Sequence, residues 1–199
     1  MHIRLKDIGQ KFGKEFIFRN VNTDFEPGSR IAVLGGNGSG KSTLLKVIYG
    51  AQIPTEGKLS YFDANGKSLS ADTVPFRIQL TGPYYELIDE LSILDFLNTY
   101  HKFRPFRHSY TAKKIIATAF LEHRTNAPIK NLSSGMRQRL KLALALCASA
   151  EVVMLDEPTS NLDPDGVKWF QQLLESELGD RTLFVGSNFN TDETFLCTN

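Results

Sequence analysis

Gly35-Gly36-Asn37-Gly38-Ser39-Gly40-Lys41-Ser42 lies between an apolar run, Arg30-Ile31-Ala32-Val33-Leu34, and a segment of helical periodicity from Lys41 to Tyr49. The eight residues fit the pattern G-x-x-x-x-G-K-[ST] at every fixed position. Average residue frequencies produce that pattern by chance in roughly one chain in a hundred of this length. A flexible Gly/Ser linker is the plain alternative, but it does not explain a strand before the loop and a helix after it. Glycines allow the backbone to fold into a concave loop whose N–H groups converge on a phosphate at a helix N-terminus. Lys41 carries positive charge to the β- and γ-phosphates, and the Ser42 hydroxyl is suited to ligate magnesium. Gly50 is the expected C-cap of the helix.

On the N-terminal side the chain reads as β. Ile3–Leu5 alternates, Phe16–Phe18 and Val21–Phe25 follow, and Pro27-Gly28 marks a turn before Arg30. Leu59–Phe62 and Arg77–Leu80 predict two more strands around a loop rich in Asp, Asn, Gly and Ser. Residues 83 to about 148 are mostly helical in pattern. Ser92 caps a helix to about Tyr100, Thr111 caps another to about Phe120, and Ser133 or Ser134 begins a third through Leu140, Leu144 and Cys147. An apolar strand at Val152–Leu155, a helix from about Pro164 to Leu178 and an apolar strand at Thr182–Val185 complete the pattern. Strands without alternation, separated by helices, predict an α/β fold with a parallel sheet covered on both faces.

The composition fits one soluble globular domain: 199 residues, 41% hydrophobic and 23% charged. A formal net charge of +1 gives no global field directed at nucleic acid or an anionic membrane. The two cysteines, Cys147 and Cys197, match neither a disulfide framework nor a metal site. No run approaches the ~20 apolar residues of a membrane span. Leu142–Ala148 predicts a buried helix face, and Met1–Lys6 lacks the apolar core of a signal peptide.

The strand Val152-Val153-Met154-Leu155 ends in Asp156-Glu157. An Asp at the carboxyl end of a parallel strand sits where α/β folds place ligands. It is placed to hold magnesium from the side opposite Ser42. Glu157 is placed to orient or deprotonate an attacking water. Alone, two acids after an apolar run suit a surface turn better; the phosphate loop reverses the balance towards a hydrolytic site.

Leu132-Ser133-Ser134-Gly135-Met136-Arg137-Gln138-Arg139 resembles the signature motif of ATP-binding cassette proteins, usually L-S-G-G-Q, and lies shortly before the strand ending in Asp156. The resemblance covers essentially the whole chain. It implies one nucleotide-binding domain over residues 1–199 with a P-loop NTPase core and a mostly parallel sheet. An N-terminal antiparallel β subdomain and an inserted helical subdomain at about 83–148 go with it. It further implies MgATP bound by Gly35, Gly36, Asn37, Gly38, Ser39, Gly40, Lys41, Ser42 and Thr43, with Ser42 and Asp156 on the metal and Glu157 and Lys41 as catalytic groups. Ser133 and Gly135 would cap the γ-phosphate held by a second ATPase subunit. Phe12 takes the place of the aromatic that stacks on adenine, with a core aromatic as the alternative. Pro158 to Asp163 matches the dimer-contacting segment. Tyr84 to Phe96 resembles the stretch that receives a coupling helix of a transmembrane permease. The implied location is cytoplasmic, on the inner face of the cell membrane, with no nucleic-acid partner.

Three motifs depart from the family pattern. Ser134 replaces a glycine and Met136 a glutamine of the signature. Thr81 stands where a magnesium-contacting glutamine is usual, with Gln79 two residues earlier and on the same side of the strand. Asn188 stands where a histidine usually contacts the γ-phosphate. Asparagine donates a hydrogen bond but cannot become a cation, so slow hydrolysis with intact binding is expected. The chain ends eleven residues after Asn188, where the family usually has at least another strand; a compact member or a shortened chain is expected.

A single cassette without long basic linkers favours the ATPase subunit of a transporter over a soluble switch acting on a macromolecular complex. Tyr100 to Tyr110 interleaves basic and aromatic residues. It suits a permease loop or lipid headgroups, or simply an exposed inter-helix loop broken at Pro105.

Overall fold

Alternating apolar side chains at Ile3 and Leu5 open a strand much longer than those positions alone suggest. In the computed structural model, which describes residues 1–107 and 110–198, the strands are β1 (His2–Phe12), β2 (Glu15–Phe25), β3 (Arg30–Leu34), β4 (Glu56–Phe62), β5 (Ile78–Thr81), β6 (Val152–Asp156) and β7 (Thr182–Ser187). The helices are α1 (Lys41–Tyr49), α2 (Ile93–Phe103), α3 (Ala112–Thr118), α4 (Ser134–Cys147), α5 (Pro164–Leu178) and the single turn α6 (Thr191–Thr194). The chain divides into two units, one of Met1–Leu80, Glu151–Asp156 and the stretch from Asp180 onward, the other of Thr81–Ala150 and Glu157–Gly179.

In the first unit an antiparallel sheet, ordered β2-β1-β4, accompanies the parallel sheet, in which β7 lies between β3 and β6. The segments 16–18 and 21–25, expected as separate strands, form the one strand β2. Its register against β1 slips between Ile8 and Gln10, where Asn20 takes a left-handed φ of 57°. A second bulge at Asp7 (φ 52°) explains why Leu5 and Ile8, three residues apart, are both buried. Gly57, opposite that bulge at φ 88°, leaves no room for a side chain, because a Cβ would strike the carbonyls of Lys6 and Asp7. Ile3, Leu5, Ile8, Leu45, Ile48, Ile78, Met154 and Phe184 belong to one buried cluster that joins both sheets to α1.

The second unit is helical, and the caps at Ser92, Thr111 and Ser133 are those expected. Ser92, Thr111, Ser133 and Asp163 each accept an N–H from the first turn of α2, α3, α4 and α5, and Pro164 fills the first position of α5. The Trp169 indole donates to the Thr118 carbonyl at 2.9 Å, tying α5 to α3. Leu142 to Ala148 is fully buried, as expected. The stretch from Tyr100 is not an exposed loop throughout. Phe103 is 74% exposed, but Phe106 is buried and bridges to Ala148. The Arg107 guanidinium donates to the Glu177 carbonyl and the Tyr110 hydroxyl to the Glu177 carboxylate. Burial and that carboxylate raise the Tyr110 phenol well above its usual range. His108 and Ser109 of this stretch lie outside the described residues.

Candidate functional site

The loop from Gly35 to Gly40 leaves β3 and turns into α1. Its glycines differ in what they are for. A Cβ on Gly35 would collide with Ser39, and one on Gly40 (φ 96°) with Ile17 of β2. Gly38 needs no space but takes φ 80°. A Cβ on Gly36 would meet nothing within 4 Å, so neither sterics nor backbone angle explains that glycine from within the chain. Gly40 caps α1 without any side-chain hydrogen bond, so the first N–H groups of the helix, those of Lys41, Ser42 and Thr43, have no side-chain cap. Lys41 is buried, and its ammonium donates to the carbonyls of Gly35 and Gly36 at 2.8 and 3.1 Å. A cation is thereby fixed inside the concave loop, at a helix N-terminus that favours anions.

Strand register sets what stands beside this loop. Leu34 pairs with Ser187 and Asp156 pairs with Gly186, so the ends of β3, β7 and β6 lie side by side. The Gly35 N–H donates to the Ser187 carbonyl at 3.2 Å, continuing the ladder one residue into the loop. Asp156 is buried at the carboxyl end of β6. A Cβ on Gly186 would come 2.6 Å from its Oδ1 and 3.1 Å from Leu45. Gly186 therefore gives the carboxylate its place. Sequence reading passed over this residue, although a glycine ending an apolar strand is a signal of close approach.

Gln79 is buried on β5, its side-chain amide 3.4 Å from the Leu80 carbonyl. Asn188 lies exposed just past β7, followed by Phe189 in a left-handed conformation (φ 57°). Phe12 ends β1 with 61% exposure, so the core-aromatic alternative does not hold.

In the second unit Thr81 is buried and Glu157 is partly buried, with φ 46°. Such a backbone costs a non-glycine residue roughly 1–2 kcal/mol, and strain of this kind clusters at functional sites. Ser133 is exposed and caps α4, its Oγ accepting from the Met136 N–H at 3.2 Å. A Cβ on Gly135 would lie 3.0 Å from the Asn161 carbonyl, so this glycine lets the start of α4 approach the 159–162 loop. Gln138 secures the same approach by donating to the Pro158 carbonyl at 2.7 Å. Between them is a pocket of about 270 Å³ lined by Ser133, Gly135, Met136, Arg139 and residues 161–163.

The family model for ABC transporters matches residues 18–160, most of the chain. The chain belongs to the ABC transporter family. It is similar to the Nod factor export ATP-binding protein I of Cupriavidus metallidurans, 26% identical over 98% of this chain and 65% of that protein. The sulfate/thiosulfate import ATP-binding protein CysA 2 of Rhizobium meliloti is 33% identical over 92% of this chain and 51% of its own length. The uncharacterized ABC transporter ATP-binding protein YybJ of Bacillus subtilis is 27% identical, covering 98% and 89%. The chain thus spans about half to two thirds of the first two relatives. Among solved structures, the dimeric post-hydrolysis state of the ATP-binding cassette MJ0796 bound to ADP and Pi superposes with a TM-score of 0.79 at 26% identity, over 96% of this chain and 90% of that one. A second dimeric MJ0796 structure gives 0.78 at 25% identity, over 98% and 91%.

The expected fold holds for this ABC chain. No helix among its described residues is long and apolar enough to cross a membrane. The Ser42 hydroxyl in the first turn of α1 and the Asp156 carboxylate at the end of β6 are oxygen donors of the kind a hard divalent cation such as magnesium takes.

Proposed function

We propose that this chain binds MgATP at residues 35–43 and hydrolyses it as one half of a dimer that drives a separate membrane permease. The observation that carries the reading is the register of the parallel sheet. It sets a buried carboxylate, given room by Gly186, on the same edge as a glycine loop with a buried lysine. The main-chain N–H groups of the loop and the first turn of α1 hold the phosphates, and Lys41 turns from the loop carbonyls to the β- and γ-phosphates. Ser42 and Asp156 would hold magnesium, which neutralises phosphate charge when bound. Glu157 orients or deprotonates the attacking water, and Asn188 donates to the γ-phosphate. Phe12, exposed at the end of β1, stacks on adenine. The pocket at Ser133 and Gly135 covers the γ-phosphate of the other subunit, and the dimeric MJ0796 cassettes support this arrangement. The relatives' names support transport, one being an export and another an import ATP-binding protein. The peripheral site on the inner membrane face follows from a permease partner.

The test is steady-state ATP hydrolysis of wild type and Glu157→Gln, with solution mass measured in MgATP. Turnover that falls by at least about a hundredfold in the variant, with a dimer trapped by ATP, is the expected result. Equal turnover in the two proteins removes Glu157 from the mechanism.

A further inference from the structure

Glu193 is a carboxylate with only 4% exposure on a four-residue helix, and nothing in the proposed hydrolytic site uses it. It accepts a hydrogen bond of 2.5 Å from the Ser187 hydroxyl, itself completely buried at the last position of β7. The same hydroxyl oxygen accepts the Asn190 N–H at 3.1 Å, while the Ser187 carbonyl accepts the Gly35 N–H at 3.2 Å. Ser187 is thus a junction. Its main chain touches the phosphate loop, and its side chain closes the turn that carries Asn188 and the left-handed Phe189. Asn190 adds its own lock on α6, its side chain accepting from the Asp192 N–H at 3.0 Å.

We infer that Glu193 is a positioning residue for phosphate chemistry: through Ser187 it fixes the turn that aims the Asn188 amide and the outlet of the phosphate loop. The inference rests on Asn188 meeting the γ-phosphate, as proposed above. An asparagine holds phosphate by direction alone, without the cationic attraction of an imidazolium, so its aim matters more. A carboxylate is the strongest neutral-pH acceptor for pinning a hydroxyl. Errors in aim of about an ångström cost up to about a hundredfold in rate.

The experiment compares Glu193→Leu, Glu193→Gln, Ser187→Ala and the Ser187→Ala/Glu193→Leu double variant. Measured for each are kcat, KM for ATP, the fraction of chains binding MgATP, and the shift of the Asn188 side-chain amide NMR signal on MgATP addition. Glu193→Leu is expected to lower kcat per binding-competent chain about tenfold with KM little changed, and to reduce the Asn188 shift. Glu193→Gln, which keeps an acceptor for Ser187, restores most of both. The double variant is no worse than Ser187→Ala, since Glu193 acts through the Ser187 hydroxyl that this variant already lacks. A merely structural role predicts fewer competent chains with unchanged kcat and an unchanged Asn188 shift in those that remain, and that result overturns the inference. A wild-type Asn188 signal indifferent to MgATP overturns it too, by removing its premise; hydrolysis abolished by Glu157→Gln in the same preparation would show the rest of the functional reading intact.

Discussion

The phosphate-loop edge of the first unit and the signature pocket of the second are both candidate triphosphate contacts, the one for the chain's own nucleotide and the other for a partner's, yet they are built differently. At the loop edge most features are accounted for by the chain's own atoms. Gly35, Gly40 and Gly186 avoid collisions, Lys41 is buried on two carbonyls, and Asp156 is buried at a strand end. At the signature pocket Gly135 and Asp163 are so explained, the one by its approach to Asn161 and the other as the cap of α5. Ser133 is exposed and does what any N-cap serine does. A binding surface preorganised inside one chain should tolerate change poorly even in the isolated protein. A surface that matters only against a second copy should tolerate it until that copy is present.

The sharpest break of this comparison is Lys41→Met. On the proposed reading the ammonium's charge-assisted hydrogen bonds to phosphate are lost, so MgATP affinity of the isolated chain falls on the order of a hundredfold or more. Titration calorimetry reads this directly. An affinity within about threefold of wild type would mean that the loop holds phosphate by main chain alone.

Gly186→Ala probes the same edge without removing any polar group. The new methyl would sit 2.6 Å from Asp156 Oδ1 and 3.1 Å from Leu45. Overpacking of this kind costs about 1–3 kcal/mol of stability. MgATP affinity should fall about tenfold, whereas ATP affinity in EDTA should change much less, because the displaced carboxylate is the one proposed to hold the metal. Equal losses with and without magnesium would assign Asp156 to packing rather than to the cation.

Ser133→Ala belongs to the other region and should behave oppositely. Loss of the cap to Met136 costs about 1 kcal/mol. Nucleotide affinity of the isolated chain stays as it was, and ATP-driven dimerisation, followed by sedimentation, is lost. If monomer affinity falls as well, the signature serine acts within its own chain and the contrast between the two regions fails.

These residues also show what a linear sequence can reveal. The phosphate loop was legible because its glycines, lysine and serine fall in one short run whose chemistry is local. Asp156 and Glu157 were legible because an apolar strand points at them. The caps at Ser92, Thr111 and Ser133 were legible for the same reason, since a cap needs only its own first turn. Gly186 and Glu193 were not, because their roles depend on strand register and on burial, which bring Gly186 against Asp156 and Glu193 against Ser187. The continuity of β2 was hidden by its bulge at Asn20, which interrupts the alternation that marks a strand. The burial of Phe106 and the engagement of Arg107 with Glu177 were hidden by a stretch whose composition suits an exposed loop.

The smallest expected effect lies behind the signature helix, where Arg137 grips Asp89 through two hydrogen bonds of 2.6 and 3.2 Å. The guanidinium holds the Asp89 carboxyl below its usual range. Because the folded-state value is depressed, the pair stabilises the fold at pH above the unfolded carboxylate value of about 3.9. That contribution is lost as pH falls through the lower folded-state value. Arg137→Gln should therefore lower the melting temperature slightly at pH 7, and the gap to wild type should close as the solution is taken below pH 4. The pair is open to solvent, so 1 M salt should narrow the same gap at pH 7. A gap that persists at low pH would show that Arg137 supports α4 by packing of its aliphatic stem rather than by its charge, and would make the second unit as dependent on its own internal fit as the first.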